Sequence, residues 1–271
     1  MRKIFFLLLF CGFGLVLKAQ VATIKSEASL LQPYINRYQA DKSMFSRKYI
    51  IKSADEYFLR MQRFYTDWLA QLKAVPFAKL STNERVDYLL LKRDISADQR
   101  NLQISKKEFD ANKYLLPFTS VIIDFEQKRR VGKQQDGALA ASNFEKLIEE
   151  INAASKAIDN GKLTLSFTQA TWAKETIDQY ATAFSESFKF YDGYDPQFTK
   201  ATKTMYPKVL DAVKQYKLSL EKVLKQAPPA DDGSGIVGRP IGKAAFINSL
   251  KDEMIAYTPE QIAAIAQKEF A

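Results

Sequence analysis

Thr258-Pro259-Glu260-Gln261-Ile262-Ala263-Ala264-Ile265-Ala266-Gln267-Lys268-Glu269-Phe270 announces a helix from its first residue. Thr258 is placed to be an N-cap, Pro259 takes the first helical position, where its missing N–H is no loss, and Gln261 completes a Thr-x-x-Gln capping box. Ile262, Ile265, Ala266 and Phe270 then form an apolar stripe at three- and four-residue spacing. Neither Gly nor Asn nor a polar tail follows before Ala271. The expectation is therefore an element that ends unfinished, with an apolar patch left uncovered.

The same punctuation extends upstream. A short helix is expected up to Ala256, preceded by the Pro- and Gly-rich stretch 227–239, expected as a mobile loop. Asp195-Pro196 supplies a cap and a first-turn proline for a helix running to about Lys225 with a kink at Pro207. Residues 167–191 carry Trp172, Ile177, Tyr180, Phe184 and Phe188 and should form a core helix ended by Gly193, while 139–160 is an amphipathic helix closed by Gly161. A buried break at 114–118 precedes a helix reaching Gly132. Ser81-Thr-Asn-Glu84 is a capping box for a helix to about Asn112, and Ser53-Ala-Asp-Glu56 reads as another, starting a helix that carries Phe58, Phe64 and Trp68 and ends before Pro76. These two helices should pair as an antiparallel hairpin. Residues 22–41 are weakly helical with a bend at Pro33. Alternating strand residues appear nowhere, so the fold class is all-α: long antiparallel helices forming a helical bundle.

Four phrases carry a family resemblance: Asp195-Pro196-Gln197-Phe198-Thr199, Pro240-Ile241-Gly242-Lys243, Glu253-Met254-Ile255-Ala256-Tyr257-Thr258-Pro259-Glu260 and Lys268-Glu269-Phe270-Ala271. They resemble the N-terminal half of the bacterial domain-of-unknown-function 885 family, with Lys243 where the family usually has Arg and Ala256 where it often has Pro. The resemblance implies a helical, zinc metallopeptidase-like protein, longer than this chain, whose His-Glu-x-x-Pro-Gly-His-His motif lies downstream of the Lys-Glu-Phe phrase. It carries no catalytic or metal-binding residue onto these positions.

Arg2 and Lys3, an apolar run over 4–17 and then Lys18-Ala19-Gln20 have the layout of a signal peptide at 1–20. A single domain, cut short at its C-terminus, is expected over 21–271, exported to the periplasm or beyond. The apolar run is shorter than the ~20 residues of a membrane span, so no stable span is expected once the leader is removed. The one cysteine, Cys11, lies inside that run, so the exported chain would hold no disulfide. The 40 basic and 31 acidic residues give a net charge of +9, which losing Arg2, Lys3 and Lys18 lowers to +6. The densest basic run, Lys128-Arg129-Arg130 with Lys133, sits among acidic residues and reads as a solvated or ion-paired face, so no nucleic acid is expected as a partner.

No histidine occurs in 271 residues. A zinc site of the usual kind and an imidazole-based triad both need one, so no cofactor is expected in this chain, and zinc only in a longer, complete protein. Gly233-x-Gly235-x-x-Gly238 matches a dinucleotide fingerprint in letters, but Pro228, Pro229 and Pro240 flank it and no strand leads into it. Ser219-x-x-Lys222 has the spacing of a serine–lysine pair but lies on a helix face expected to meet water. The candidate substrate-binding residues are Arg129 and Arg130, whose forks suit a carboxylate, and Tyr194 and Asp195, at a helix junction able to line a cleft. An ion pair explains the first two as well, and capping the last.

The leading expectation is an exported, substrate-cleft portion of a zinc metallopeptidase-like protein, inactive alone and with a peptide as substrate once completed. The alternative is a secreted helical binding or scaffold protein without catalysis.

Overall fold

Ser81 accepts a hydrogen bond from the Glu84 amide while the Glu84 carboxylate takes the Ser81 amide, and this closed box launches the longest helix of the molecule. The computed structural model describes residues 29–226 and 241–270, and among them no strand occurs. Ten α-helices follow in order: α1 (Gln32–Lys48), α2 (Asp55–Lys73), α3 (Thr82–Asn112), α4 (Thr119–Arg130), α5 (Gly137–Asp159), α6 (Phe167–Tyr191), α7 (Pro196–Thr202), α8 (Met205–Gln226), α9 (Lys243–Asp252) and α10 (Pro259–Phe270). The all-α bundle read from periodicity is what the chain forms. The expected leader at 1–20 and loop at 227–239 lie outside the described residues.

Two groups of helices share the core. In the first, α2 pairs along α3, and α1 lays Tyr38 and Phe45 against Phe64 and Trp68 of α2. In the second, α5 and α6 both pack on α8, α7 lies along α5, and α4 along α6. Phe125, Phe144, Phe184 and Phe198 interlock at its centre, with ring centroids 4.9–6.4 Å apart. Burying each such side chain is worth about 1.5–3 kcal/mol. This matters in a chain whose only cysteine, Cys11, lies outside the described residues and leaves them no disulfide to lean on.

Three local expectations are corrected. Ser53 does not cap α2: Ala54 is the N-cap and no side chain bonds there, because Glu56 is drawn away to Arg130. Pro33 does not bend a helix but starts α1, where its fixed φ is favourable. The helix after Asp195 is not one rod kinked at Pro207. It breaks at 203–204 into α7 and α8, and Pro207 falls in the first turn of α8, where the absent N–H has no partner to lose.

The last two helices stand apart. Thr258 and Gln261 form their box, yet α10 buries no residue; Ile265 is exposed and Phe270 is 92% exposed. Lys243 of α9 binds Glu260 of α10 at 2.7 Å, and Arg100 of α3 pairs with Asp252 of α9. Among the described residues no helix is long and apolar enough to cross a membrane.

Candidate functional site

Along α3, Asp98, Asn101, Ser105 and Glu108 recur at three- and four-residue intervals and so share one face. Opposite them α6 presents Trp172, Glu175, Thr176 and Gln179 at the same helical spacing. Polar side chains facing each other gain nothing from losing water, so α3 and α6 meet only sparsely. A groove of about 390 Å³ stays open between them, floored by Tyr57 and Tyr65 of α2 and closed at one end by Lys52 and Ser53. That end is tied down: the Lys52 amide donates to Gln179 Oε1 at 3.2 Å, and the Tyr180 hydroxyl donates to the Ser53 carbonyl.

Asp98 is held in the groove from the α1 side. Its Oδ2 accepts from the Tyr38 hydroxyl and from Lys42 Nζ, both at 2.5 Å. Burial first, and the Asp98 carboxylate second, push the Tyr57 and Tyr65 hydroxyls up, so both remain neutral donors. A fixed carboxylate beside neutral hydroxyls can orient a polar or cationic ligand. No imidazole can stand beside it, since the sequence holds no histidine.

Arg129 and Arg130 lie elsewhere, at the end of α4, and their forks meet the chain's own carboxylates. Arg130 grips Glu56 with Nη1 at 3.2 Å and Nη2 at 2.8 Å, and Nη2 also lies 3.3 Å from Glu126. Arg129 reaches the other Glu126 oxygen at 3.2 Å, and the Arg130 guanidinium sits 4.7 Å over the Tyr49 ring. Burial pushes the Glu126 carboxyl up in spite of both arginines, whereas hydrogen bonds from Arg130 and Gln127 outweigh desolvation at Glu56 and hold it down. Arg130 lines a shallow basic depression of about 430 Å³ with Lys48, Lys128 and Lys133.

Tyr194 and Asp195 line a different depression, of about 810 Å³, with Phe190 and Tyr191. Asp195 spends its carboxylate on the α7 amides of Gln197 and Phe198, at 3.0 and 3.1 Å, while Tyr194 is 84% exposed. The two pairs flank one loop without forming one site: Val131 and Lys133 face the arginine side, Gly132 and Gln134 the tyrosine side. Ser219 is buried rather than facing water, and with Lys222 it binds the two oxygens of Asp159.

The groove itself is absent from the residues that sequence singled out. Its signal was the polar stripe of α3, legible at 98, 101, 105 and 108, whose importance depends on α6 lying opposite. A zinc ion does not fit: among the described residues no three His, Cys, Asp or Glu side chains converge as ligands, and the full sequence supplies no histidine.

The family described as "Bacterial protein of unknown function (DUF885)" matches residues 49–271. No curated protein and no solved structure matches the chain.

Proposed function

The chain belongs to the DUF885 family, and from that premise we propose that it is the substrate-binding portion of an exported, metallopeptidase-like protein, holding a peptide in the α3–α6 groove. The observation that carries this reading is the groove: a cavity lined by Tyr57 and Tyr65 and by polar side chains of α3 and α6, set between two long helices. Hydroxyl and amide groups at helical spacing offer hydrogen bonds to the backbone of an extended peptide, while Trp172 and Tyr57 supply apolar contact. Catalysis is assigned to metal ligands this sequence does not hold, since it lacks the histidines a zinc site of the usual kind requires. The exposed face of α9 and α10 is then where the rest of such a protein would pack.

The test titrates the purified chain with a fluorescein-labelled digest of casein and follows anisotropy, bound zinc and cleavage together. The expected result is saturable binding without stoichiometric zinc and without cleavage. Failure to bind any peptide would remove the groove from the account, and chelator-sensitive cleavage would overturn the division of labour. The second reading, a helical binding protein without chemistry, is favoured by the missing histidines. It would gain if joining the chain to a segment bearing the His-Glu-x-x-Pro-Gly-His-His motif produced no hydrolysis.

A further inference from the structure

We propose that the depression beside the α6–α7 corner is a second binding site, taking a neutral oligosaccharide whose sugar ring stacks on Tyr194. It lies apart from the α3–α6 groove and does not depend on what that groove holds. The depression measures about 810 Å³, within the roughly 300–1,000 Å³ of small-molecule sites. A single exposed aromatic residue is ordinary. Here the exposed Tyr194 and the half-exposed Phe190 share one concavity with Pro196 and with two glutamines, Gln134 and Gln197.

The walls are fixed before any ligand arrives. At the α6 end the Tyr191 carbonyl accepts from the Tyr194 and Asp195 amides, at 3.2 and 3.0 Å, and the Gly193 amide donates to Thr199 Oγ1 at 2.9 Å. Gly193 makes that corner with φ +77°, a conformation that favours glycine. The segment bearing Gln134 is pinned in turn: the Tyr191 hydroxyl donates to the Lys133 carbonyl at 2.6 Å and accepts from Gln135 Nε2 at 3.3 Å. A backbone held this way presents the Tyr194 ring with little ordering left to lose on binding.

The chemistry of the lining selects the ligand. Its one charged side chain is Asp195, whose carboxylate already holds two α7 amides, so an anion finds no cation here and a cation only an engaged carboxylate. What the lining leaves open is neutral: aromatic faces, and the side-chain amides of Gln134 and Gln197, which bond to no described residue. Each amide is both donor and acceptor, as a sugar hydroxyl is. The C–H face of a pyranose ring meets the negative face of an aromatic ring favourably. A proline-rich segment also docks on exposed aromatic rings, but it offers mainly carbonyl acceptors and, lacking prolyl N–H groups, few donors to the two glutamine oxygens.

The experiment titrates the full chain with cellohexaose, chitohexaose and mannohexaose by isothermal titration calorimetry, with a short polyproline peptide as the comparison. At least one sugar should bind saturably. Tyr194→Ala should weaken it about tenfold or more, whereas Tyr194→Phe, which keeps the ring, should stay within about threefold of the unmodified chain. Because Tyr194 is exposed, its removal should leave the urea midpoint in place, which separates a lost contact from a lost fold. Binding of none of the three sugars, or sugar binding indifferent to Tyr194→Ala, overturns the proposal. Tyr194-dependent binding of polyproline in place of the sugars overturns it as well. Peptide binding in the α3–α6 groove should be the same in both variants, so that reading stands or falls separately.

Discussion

Arg130 joins three helices that are far apart in sequence: it stacks on Tyr49 beyond the end of α1, grips Glu56 at the start of α2 and touches Glu126 on its own α4. The buried member, Glu126, gives a test with a definite sign. Its carboxyl is pushed up in the folded protein, so the native state holds that proton over a pH range in which the unfolded chain, near the usual ~4.3, has released it. The contribution of Glu126 to stability is therefore full below the ordinary glutamate range and declines as pH rises through the folded value. Glu126→Gln does not titrate there. Urea unfolding of both proteins should show the wild-type advantage shrinking as pH rises from about 4, and an advantage that grew with pH would refute the assignment. Gly137 offers a second test. A Cβ there would lie 2.8 Å from the Gln197 carbonyl oxygen, so Gly137→Ala must push α7 off the start of α5, at a cost of about 1–3 kcal/mol in unfolding free energy. The sequence displayed the Arg129-Arg130 pair plainly but not what the arginines hold, because Glu56 lies 74 residues from Arg130.

Individual helices were legible to the degree that their ends are local chemistry. The boxes at Ser81 and Thr258 and the cap at Asp195 close as the letters imply. Ser53-Ala-Asp-Glu56 has the same letters and does not close, since its glutamate finds a stronger partner outside the helix. α10 shows how little a good cap can accomplish alone. It is 12 residues long with no buried side chain, and helices of that length are marginal in water without packing. Thr258→Ala removes about 1 kcal/mol from its start. The amides of α10 should then exchange faster with solvent while the urea midpoint of the bundle stays in place; a shifted midpoint would show that α10 belongs to the cooperative core.

At the scale of the molecule the all-α class followed from periodicity, but the pairing of helices did not. A helix's apolar stripe states that it packs and not against which neighbour, so the open seam between α3 and α6, with its site, is a property of the tertiary fold and of neither helix alone. The two aromatic clusters belong to one continuous core, and that continuity has a measurable sign. Trp68 sits in the first cluster and Trp172 on α6. In Trp172→Phe the remaining tryptophan, Trp68, packs on Tyr38 and Phe64 and reports on the first helix group, and its fluorescence midpoint in urea should coincide with that of helical circular dichroism. Two separated midpoints would mean that the halves unfold independently.

The position of α8 bears on how such a chain is made. Synthesis runs from the N-terminus, and α5 and α6 both take α8 as their main partner. Until the ribosome has passed residue 226, Leu147, Ile151, Ile177 and Phe184 belong to a nascent segment that lacks the helix against which its apolar faces close. The hairpin of α2 and α3 faces no such wait. Helices α2 and α3 can pair early, while α5 and α6 keep apolar faces open until α8 has emerged.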